Sequence, residues 1–207
     1  MVMDENRLQA AYSCWSCATG LSARAPFCHG CGVVQPPQKL DHFARLNLPI
    51  KYELDIADIE RQYFGLQRYF HPDRFSTKSA REKAFSLQHA TDLNDAYRVL
   101  KNPLSRAEYF LALLGHPVAG KGGATISDPK LLMEAMDMRE ELAAAETASA
   151  IADISAHIAK DIQMVERDLT QAITHQSYDA AGTLCVRLRY LVKFQSDVRE
   201  RQARLEA

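Results

Sequence analysis

The stretch YFHPDRF, residues 69–75, stands where one helical pattern ends and another is about to begin. Before it, apolar residues recur at steps of three and four, the spacing of one helical face: Ile56, Ile59, Tyr63, Leu66 and Phe70. Asp55 is placed to cap this helix, and Pro72 disfavours helical geometry for the residue before it, so we predict that the helix ends at His71. After the turn the same spacing returns, which predicts a second, antiparallel helix with an apolar face of Phe85, Leu93, Tyr97 and Leu100.

Two breaks divide the rest of the 207-residue chain. The prolines of QPPQ, residues 35–38, stop regular structure. The glycine-rich stretch GHPVAGKGGAT, residues 115–125, is typical of a flexible connector. We therefore predict four segments: a cysteine-rich one at 1–38, a domain with the helical hairpin at 39–114, a linker at 115–126 and a helical bundle at 127–207.

The last segment has the pattern of a three-helix bundle. Asp128 and Pro129 are typical of a helix start. Near-heptad spacing then holds in two long runs, namely Ile151, Ile154, Ile158, Ile162, Val165, Leu169 and Ala172, and, after a break at residues 176–177, Ala181, Leu184, Leu188, Leu191 and Val198. Because no run alternates as a strand would, we predict an all-α fold made of the hairpin, the bundle and a small cysteine segment.

Four of the five cysteines form two C-x2-C pairs, which are Cys14, Cys17, Cys28 and Cys31. Two such pairs of thiolates favour a closed tetrahedral site, so we predict one structural zinc ion with these four ligands. Iron in a rubredoxin-like centre stays open, because the same thiolates would bind it. The alternative of unliganded or disulfide-bonded cysteines is disfavoured by the paired spacing. His29 lies inside the second pair and is predicted to be a bystander.

Composition argues against several classes of protein. A net charge of −1 argues against binding nucleic acid by bulk charge, and residues 11–34 contain one arginine and no lysine. The apolar runs are far shorter than a bilayer span, and the acidic N-terminus lacks the features of a signal peptide. We expect a cytoplasmic protein, or one of the mitochondrial matrix if a presequence has been removed, with its cysteines reduced.

Nucleotide-binding and catalytic interpretations are weak. The run Gly115-x4-Gly120-Lys121 resembles a phosphate-binding loop, but Gly122 replaces the required serine or threonine and no predicted strand precedes it. His71 and Asp73 could serve as a base and its partner, yet no serine or cysteine nucleophile accompanies them in a recognisable pattern. We predict neither a nucleotide site nor a catalytic site.

Basic residues outnumber acidic ones around the turn. The basic ones are Arg61, Arg68, Arg74, Lys78, Arg81 and Lys83, and the acidic ones are Glu60, Asp73 and Glu82. Such a run is usually a solvated face, but beside a constrained turn it could steer an acidic protein surface into contact. A basic helix, the tripeptide HPD and an antiparallel helix resemble the J domain of co-chaperones that stimulate ATP hydrolysis by DnaK-type chaperones. The resemblance implies that the chaperone contacts His71, Pro72 and Asp73, with Arg61 and Arg68 beside them.

The predicted helix after the linker has two apolar stripes. On a wheel of about 100° per residue, one stripe is formed by Leu131, Ala135, Met138 and Leu142. Nearly opposite stand Leu132, Met133, Met136, Asp137 and Glu140. A second apolar stripe edged by acids is more than a core helix requires, and methionines adapt well to a partner's surface. The alternative is that the hairpin domain covers this stripe.

Three stretches resemble the HscB family of J-type co-chaperones, within a similarity that runs from about residue 41 to the C-terminus: PLSRAEYFLALLG at 103–115, LLMEAMDMREEL at 131–142 and VRLRYLVKF at 186–194. The resemblance implies a role in iron–sulfur cluster biogenesis, with a chaperone of the HscA kind and a scaffold protein of the IscU kind as partners. It implies scaffold binding by Leu132, Met133, Met136, Asp137, Glu140 and Tyr190. The chain departs from the pattern of that family at two positions: a glutamate is usual at the position of Asp137, and an acid can occur at that of Ala144.

We therefore predict a co-chaperone, not an enzyme, that joins a chaperone to a scaffold protein. Its nearest rival is a general J-domain co-chaperone for unfolded clients. From another class, a zinc-knuckle nucleic-acid-binding protein would use the helices for oligomerisation. We expect neither nucleic acid nor a membrane among the partners, and self-association is left open.

Overall fold

The structure is a computed structural model that describes residues 12–118 and 129–206. The chain divides into two compact units, and we call them the hairpin unit, the described part of Met1–Ile50 with Leu54–Lys101, and the bundle unit, the described part of Lys51–Glu53 with Asn102–Ala207. The helix over Pro103–Leu113, which the sequence analysis groups with the hairpin, falls in the bundle unit. Residues 119–126 of the predicted linker, and Asp128, lie outside the described residues.

The hairpin unit begins with the cysteine head, which we define as residues 12–38. Its strands β1 (Tyr12–Ser13) and β2 (Gly20–Leu21) pair antiparallel, with Tyr12 opposite Leu21. No strand is predicted from the sequence, and this prediction is wrong. Each strand has two residues, too few for alternation to be readable, and the ribbon forms because the turn between the first two cysteines reverses the chain.

Three helices complete the hairpin unit: α1 (His42–Arg45), α2 (Ile56–Phe70) and α3 (Ala80–Lys101). The predicted cap is present, since the Ala57 amide donates to Asp55 Oδ1 at 2.9 Å. Contacts between Tyr63 and Tyr97, whose ring centroids lie 4.1 Å apart, and between Ser86 and Phe70 show that α2 and α3 run antiparallel as predicted. Their shared core includes Ile59, Tyr63, Phe70, Leu93, Ala96 and Leu100.

The bundle unit contains four helices in the described residues: α4 (Pro103–Leu113), α5 (Pro129–Ala144), α6 (Ala148–Thr174) and α7 (Tyr178–Glu206). The helices α6 and α7 pack along each other through the predicted heptad positions, of which the fully buried ones include Ile151, Ile158, Leu169, Ala181, Leu188 and Val198. The chain reverses at Gln176, which has a positive φ of 58°. The predicted all-α fold is confirmed apart from the two-stranded ribbon.

A helix that spans a bilayer must be both long and apolar. None of the helices in residues 12–118 and 129–206 meets both requirements.

Candidate functional site

The four predicted metal ligands meet in the cysteine head. Their sulfur atoms all lie within 4.8 Å of one another. The Sγ atoms of Cys14 and Cys31 are 3.8 Å apart, and those of Cys17 and Cys28 are 3.6 Å apart. A tetrahedral ion with metal–sulfur bonds of about 2.3 Å requires sulfur–sulfur separations of about 3.8 Å. The geometry therefore fits one tetrahedral metal ion, with His29 outside the ligand group.

Tight backbone turns hold the two cysteine pairs in this arrangement. The amide of Gly30 donates to Cys28 Sγ at 3.3 Å, as that of Ser16 does to Cys14 Sγ at 3.4 Å. Gly32 has a φ of +76°, which favours glycine, and its amide donates to the Cys28 carbonyl at 2.8 Å. Amide donors of this kind favour thiolates, the form of cysteine that binds metal.

The thiols of the cluster differ widely in pKa. Burial raises the pKa of Cys14, but the backbone amides of Cys17 and Ser16 and the neighbouring thiols outweigh it and lower that pKa to about 6. For Cys31 the Val33 amide favours the thiolate, yet burial and the other three thiols raise its pKa to about 12. Four thiolates cannot accumulate side by side without a compensating positive charge. A divalent ion at their centre would supply that charge.

The HPD loop, which we define as His71 together with the 3₁₀ turn Pro72–Phe75, follows α2 directly. His71 has the extended geometry that the following proline imposes, with φ −60° and ψ 129°. The Asp73 amide donates to His71 Nδ1 at 3.3 Å, so the imidazole caps the short turn. The side chains of His71 and Asp73 are 53% and 90% exposed, whereas Phe75 is buried and anchors the loop. The loop thus presents polar groups to solvent from a fixed backbone.

Two of the predicted basic residues, Arg61 and Arg68, lie on the exposed surface of α2. Arg61 is exposed and pairs with Asp58, and Arg68, two helical turns further on, is also exposed. The Arg68 carbonyl accepts a hydrogen bond from Arg74 Nη1 at 3.2 Å. Phe64, which is not among the predicted residues, is exposed between the two arginines on this surface. The sequence does contain a sign of this exposure, because Phe64 is a large apolar residue outside the stripe that forms the core face of the helix.

The second predicted surface is on α5. Leu131 and Ala135 are buried as expected, and Met138 and Leu142 are half-buried. We call the opposite side the outer stripe, and its members are Leu132, Met133, Met136, Asp137 and Glu140. Leu132, Met133 and Met136 are 43%, 66% and 52% exposed, and both acids are exposed beside them. The structure therefore brings these five predicted residues together on one accessible face.

Tyr190 on α7 does not join the outer stripe. It is only 8% exposed, and its hydroxyl donates to the Ala135 carbonyl at 2.9 Å. Burial raises the pKa of Tyr190, although Arg139, whose guanidinium lies 5.8 Å from the ring centroid, opposes this shift. The hydroxyl is therefore protonated and free to donate. This places Tyr190 beneath α5, where it supports the helix from the side opposite the stripe.

Comparison with known proteins shows the family to which the chain belongs. A family model described as the HSCB C-terminal oligomerisation domain matches residues 127–199. The co-chaperone protein HscB homolog of Aliivibrio salmonicida is 34% identical over 170 residues, which cover 80% of this chain and 99% of that protein. The chain belongs to the HscB family of co-chaperones. HscB of Proteus mirabilis is likewise 34% identical over 170 residues, covering 80% of this chain and 98% of the relative.

Solved structures of the HscB family have the same fold. Human co-chaperone protein HscB matches with a TM-score of 0.85 and 29% identity, covering 92% of this chain and 98% of the human chain. Chaperone HscB from Vibrio cholerae matches with a TM-score of 0.71 and 32% identity, over 80% of this chain and 99% of the Vibrio chain. The recognition of an HscB-type co-chaperone from the sequence is confirmed.

The cysteine cluster generates the first prediction for this HscB family member. The purified protein is expected to contain one metal ion per chain, and Cys28→Ser is expected to lose it, because three thiolates cannot close the tetrahedral shell. Elemental analysis by mass spectrometry measures both the amount and the element. Cys185→Ser, which changes a buried cysteine of α7, is the matched control and should keep the ion. A metal-free wild type would contradict the site.

Proposed function

We propose that this protein stimulates ATP hydrolysis by a dedicated DnaK-type chaperone of the HscA kind and delivers to it an iron–sulfur scaffold protein of the IscU kind. The observation that supports this most is the presence of both surfaces on one chain, the HPD loop in the hairpin unit and the outer stripe in the bundle unit. Hydrolysis takes place in the chaperone. The co-chaperone raises the effective concentration of the scaffold near it, without new contacts between those two proteins.

The chaperone is proposed to bind the HPD loop and the basic surface of α2. The Asp73 side chain is more exposed than that of His71, so its carboxylate can accept hydrogen bonds from a basic group of the partner. Pro72 and the His71 cap restrict the backbone before binding, which lowers the entropy lost on association. Arg61 and Arg68 attract an acidic partner surface and speed the encounter.

Replacement of the loop carboxylate tests this contact. Asp73→Asn keeps the size of the side chain but removes its charge, so stimulation of the chaperone's ATPase is expected to fall about tenfold or more, the loss typical of one charge-assisted hydrogen bond. Steady-state ATP hydrolysis at several concentrations of the co-chaperone measures the effect. Asp95→Asn, at an exposed aspartate of α3 that pairs with Arg98, is the control and should behave as wild type. Equal loss in both variants would contradict the role of the loop.

The scaffold protein is proposed to bind the outer stripe of α5. Its exposed leucine and methionines offer an adaptable apolar surface, and Asp137 and Glu140 offer hydrogen-bond acceptors at its edge. Ala144, exposed at the end of the helix, adds no charge to this edge. Tyr190 is proposed to act as a positioning residue, because its hydrogen bond to the Ala135 carbonyl fixes the helix that presents the stripe. The affinity thus depends mainly on apolar contact.

Shortening the two methionines tests the scaffold surface. The double variant Met133→Ala/Met136→Ala is expected to weaken binding of the scaffold about tenfold or more, because central apolar anchors dominate an interface. When the scaffold is absent, the double variant should stimulate the chaperone's ATPase as well as wild type does. Isothermal titration and the ATPase assay measure these two properties. Met164→Ala removes a methionine of α6 that is also exposed, and its scaffold affinity should match wild type. Unchanged affinity in the double variant would refute this surface.

The metal of the cysteine head is proposed to be a single structural zinc ion. Zinc favours four cysteine ligands in tetrahedral geometry, and when bound it would join the two cysteine turns of a segment with a very small apolar core of its own. The shell is already complete with Cys14, Cys17, Cys28 and Cys31, so these residues hold the ion and do no chemistry on it. A reducing compartment, the cytoplasm or the mitochondrial matrix, is proposed because thiol ligands persist there.

A further inference from the structure

We propose that the cysteine head positions the HPD loop, and that Phe27, Gln35 and His89 are the positioning residues. They join the metal-binding turns to Phe70, the last residue of α2. We call this set of four residues the ring relay. The inference rests on the proposed function, because it assigns the head a part in chaperone stimulation.

Within the ring relay, Gln35 is the residue that contacts a cysteine of the head, and it is fully buried. Its Nε2 donates to Cys14 Sγ at 3.4 Å and to the Val33 carbonyl at 3.0 Å. Its backbone carbonyl lies 2.9 Å from Nε2 of His89 on α3. Since a carbonyl can only accept, Nε2 of His89 must hold the proton. One residue therefore contacts both a metal ligand and a helix of the hairpin.

Stacked rings continue this connection to the loop. The buried His89 ring stacks on Phe70 with centroids 4.2 Å apart and an interplanar angle of 15°. Phe27 of the head stacks with Phe70 at 5.4 Å and 10°. Burial lowers the pKa of His89, so the ring that meets Phe70 is neutral near pH 7. Phe70 is thus held by a ring of the head and a ring of α3, and His71 is its neighbour in the chain.

The head also contacts the start of the helix that follows the loop. The guanidinium of Arg81, in the first turn of α3, lies 4.4 Å from the Trp15 ring centroid. The same indole meets Phe85 edge-on at 6.2 Å and donates from Nε1 to the Val34 carbonyl at 2.8 Å. The head therefore holds both ends of the segment that contains the HPD loop. Any loosening of the head removes support from the two helix ends between which the loop is fixed.

The test changes the head and measures the loop. Phe27→Leu removes the head-side ring, and the exchange rates of the Arg74 and Ser76 amides, which close the turn by bonding to the His71 and Asp73 carbonyls, are expected to rise about two- to tenfold, the factor that one aromatic pair corresponds to. Maximal stimulation of the chaperone should also fall. Phe27→Tyr keeps the ring and should restore both values.

Two substitutions at His89 separate the parts of the ring relay. His89→Phe keeps a ring on Phe70 but loses the bond to Gln35, whereas His89→Gln keeps a donor and loses the ring. Each is expected to raise the exchange rates of the loop amides. His89→Ala loses both the ring and the hydrogen bond, so its effect should be larger than that of either substitution. The matched control is Tyr97→Leu, which removes the Tyr63–Tyr97 stack in the same hairpin, near the opposite end from the loop.

The outcomes separate positioning from general stability. The proposal requires that Phe27→Leu change loop exchange and stimulation while Tyr97→Leu does not, with scaffold affinity equal to wild type in both. Equal effects of the two variants, or no effect of Phe27→Leu on the loop, would overturn it. If wild type fails to stimulate any DnaK-type chaperone, the proposed function fails, and the exchange measurements still decide whether the head positions the loop.

Discussion

The end of α2 is the constraint on which the functional geometry of the hairpin unit depends. Pro72 has no amide hydrogen and forces His71 out of helical geometry, so the helix ends at Phe70. The Phe70 carbonyl left without a helical partner accepts a hydrogen bond from Ser86 Oγ at 2.9 Å. Phe75 then returns the chain to the core. Between these two buried aromatics His71 and Asp73 are exposed on a backbone with little freedom, which suits recognition without covalent chemistry.

In the bundle unit the exposed groups lie on a helix, α5, and not on a loop. An accessible apolar stripe contributes no burial energy in the free protein, so the helix that presents it must be held by its other face. Ala135 permits the close approach of α7, and the Tyr190 hydroxyl fixes the backbone of α5 at that point. Glu134 adds an ion pair with Arg187 at 3.2 Å. In both units the exposed groups depend on buried neighbours that would not touch a partner.

The sequence predicts well those features that arise from local chemistry. The two C-x2-C pairs, the Asp55 cap, the end of α2 and the two faces of α5 follow from spacing and from the conformational limits of single residues. Contacts between distant residues were not predictable. The bond between His89 and Gln35 joins positions 54 apart in the chain, and the bond between Tyr190 and Ala135 joins positions 55 apart. Periodicity indicates that a residue is buried but does not say against which neighbour, so it cannot show that Tyr190 lies beneath the outer stripe and not within it.

The central claim is that one chain binds two partners through separate surfaces, and amide chemical-shift mapping tests it most directly. The labelled full-length protein would be titrated with the DnaK-type chaperone and then, in the same sample, with the scaffold protein. The account predicts that the chaperone shifts amides of α2 and the HPD loop, that the scaffold shifts amides of α5, and that the second partner does not displace the first. Overlapping sets of shifted amides, or displacement of one partner by the other, would contradict it.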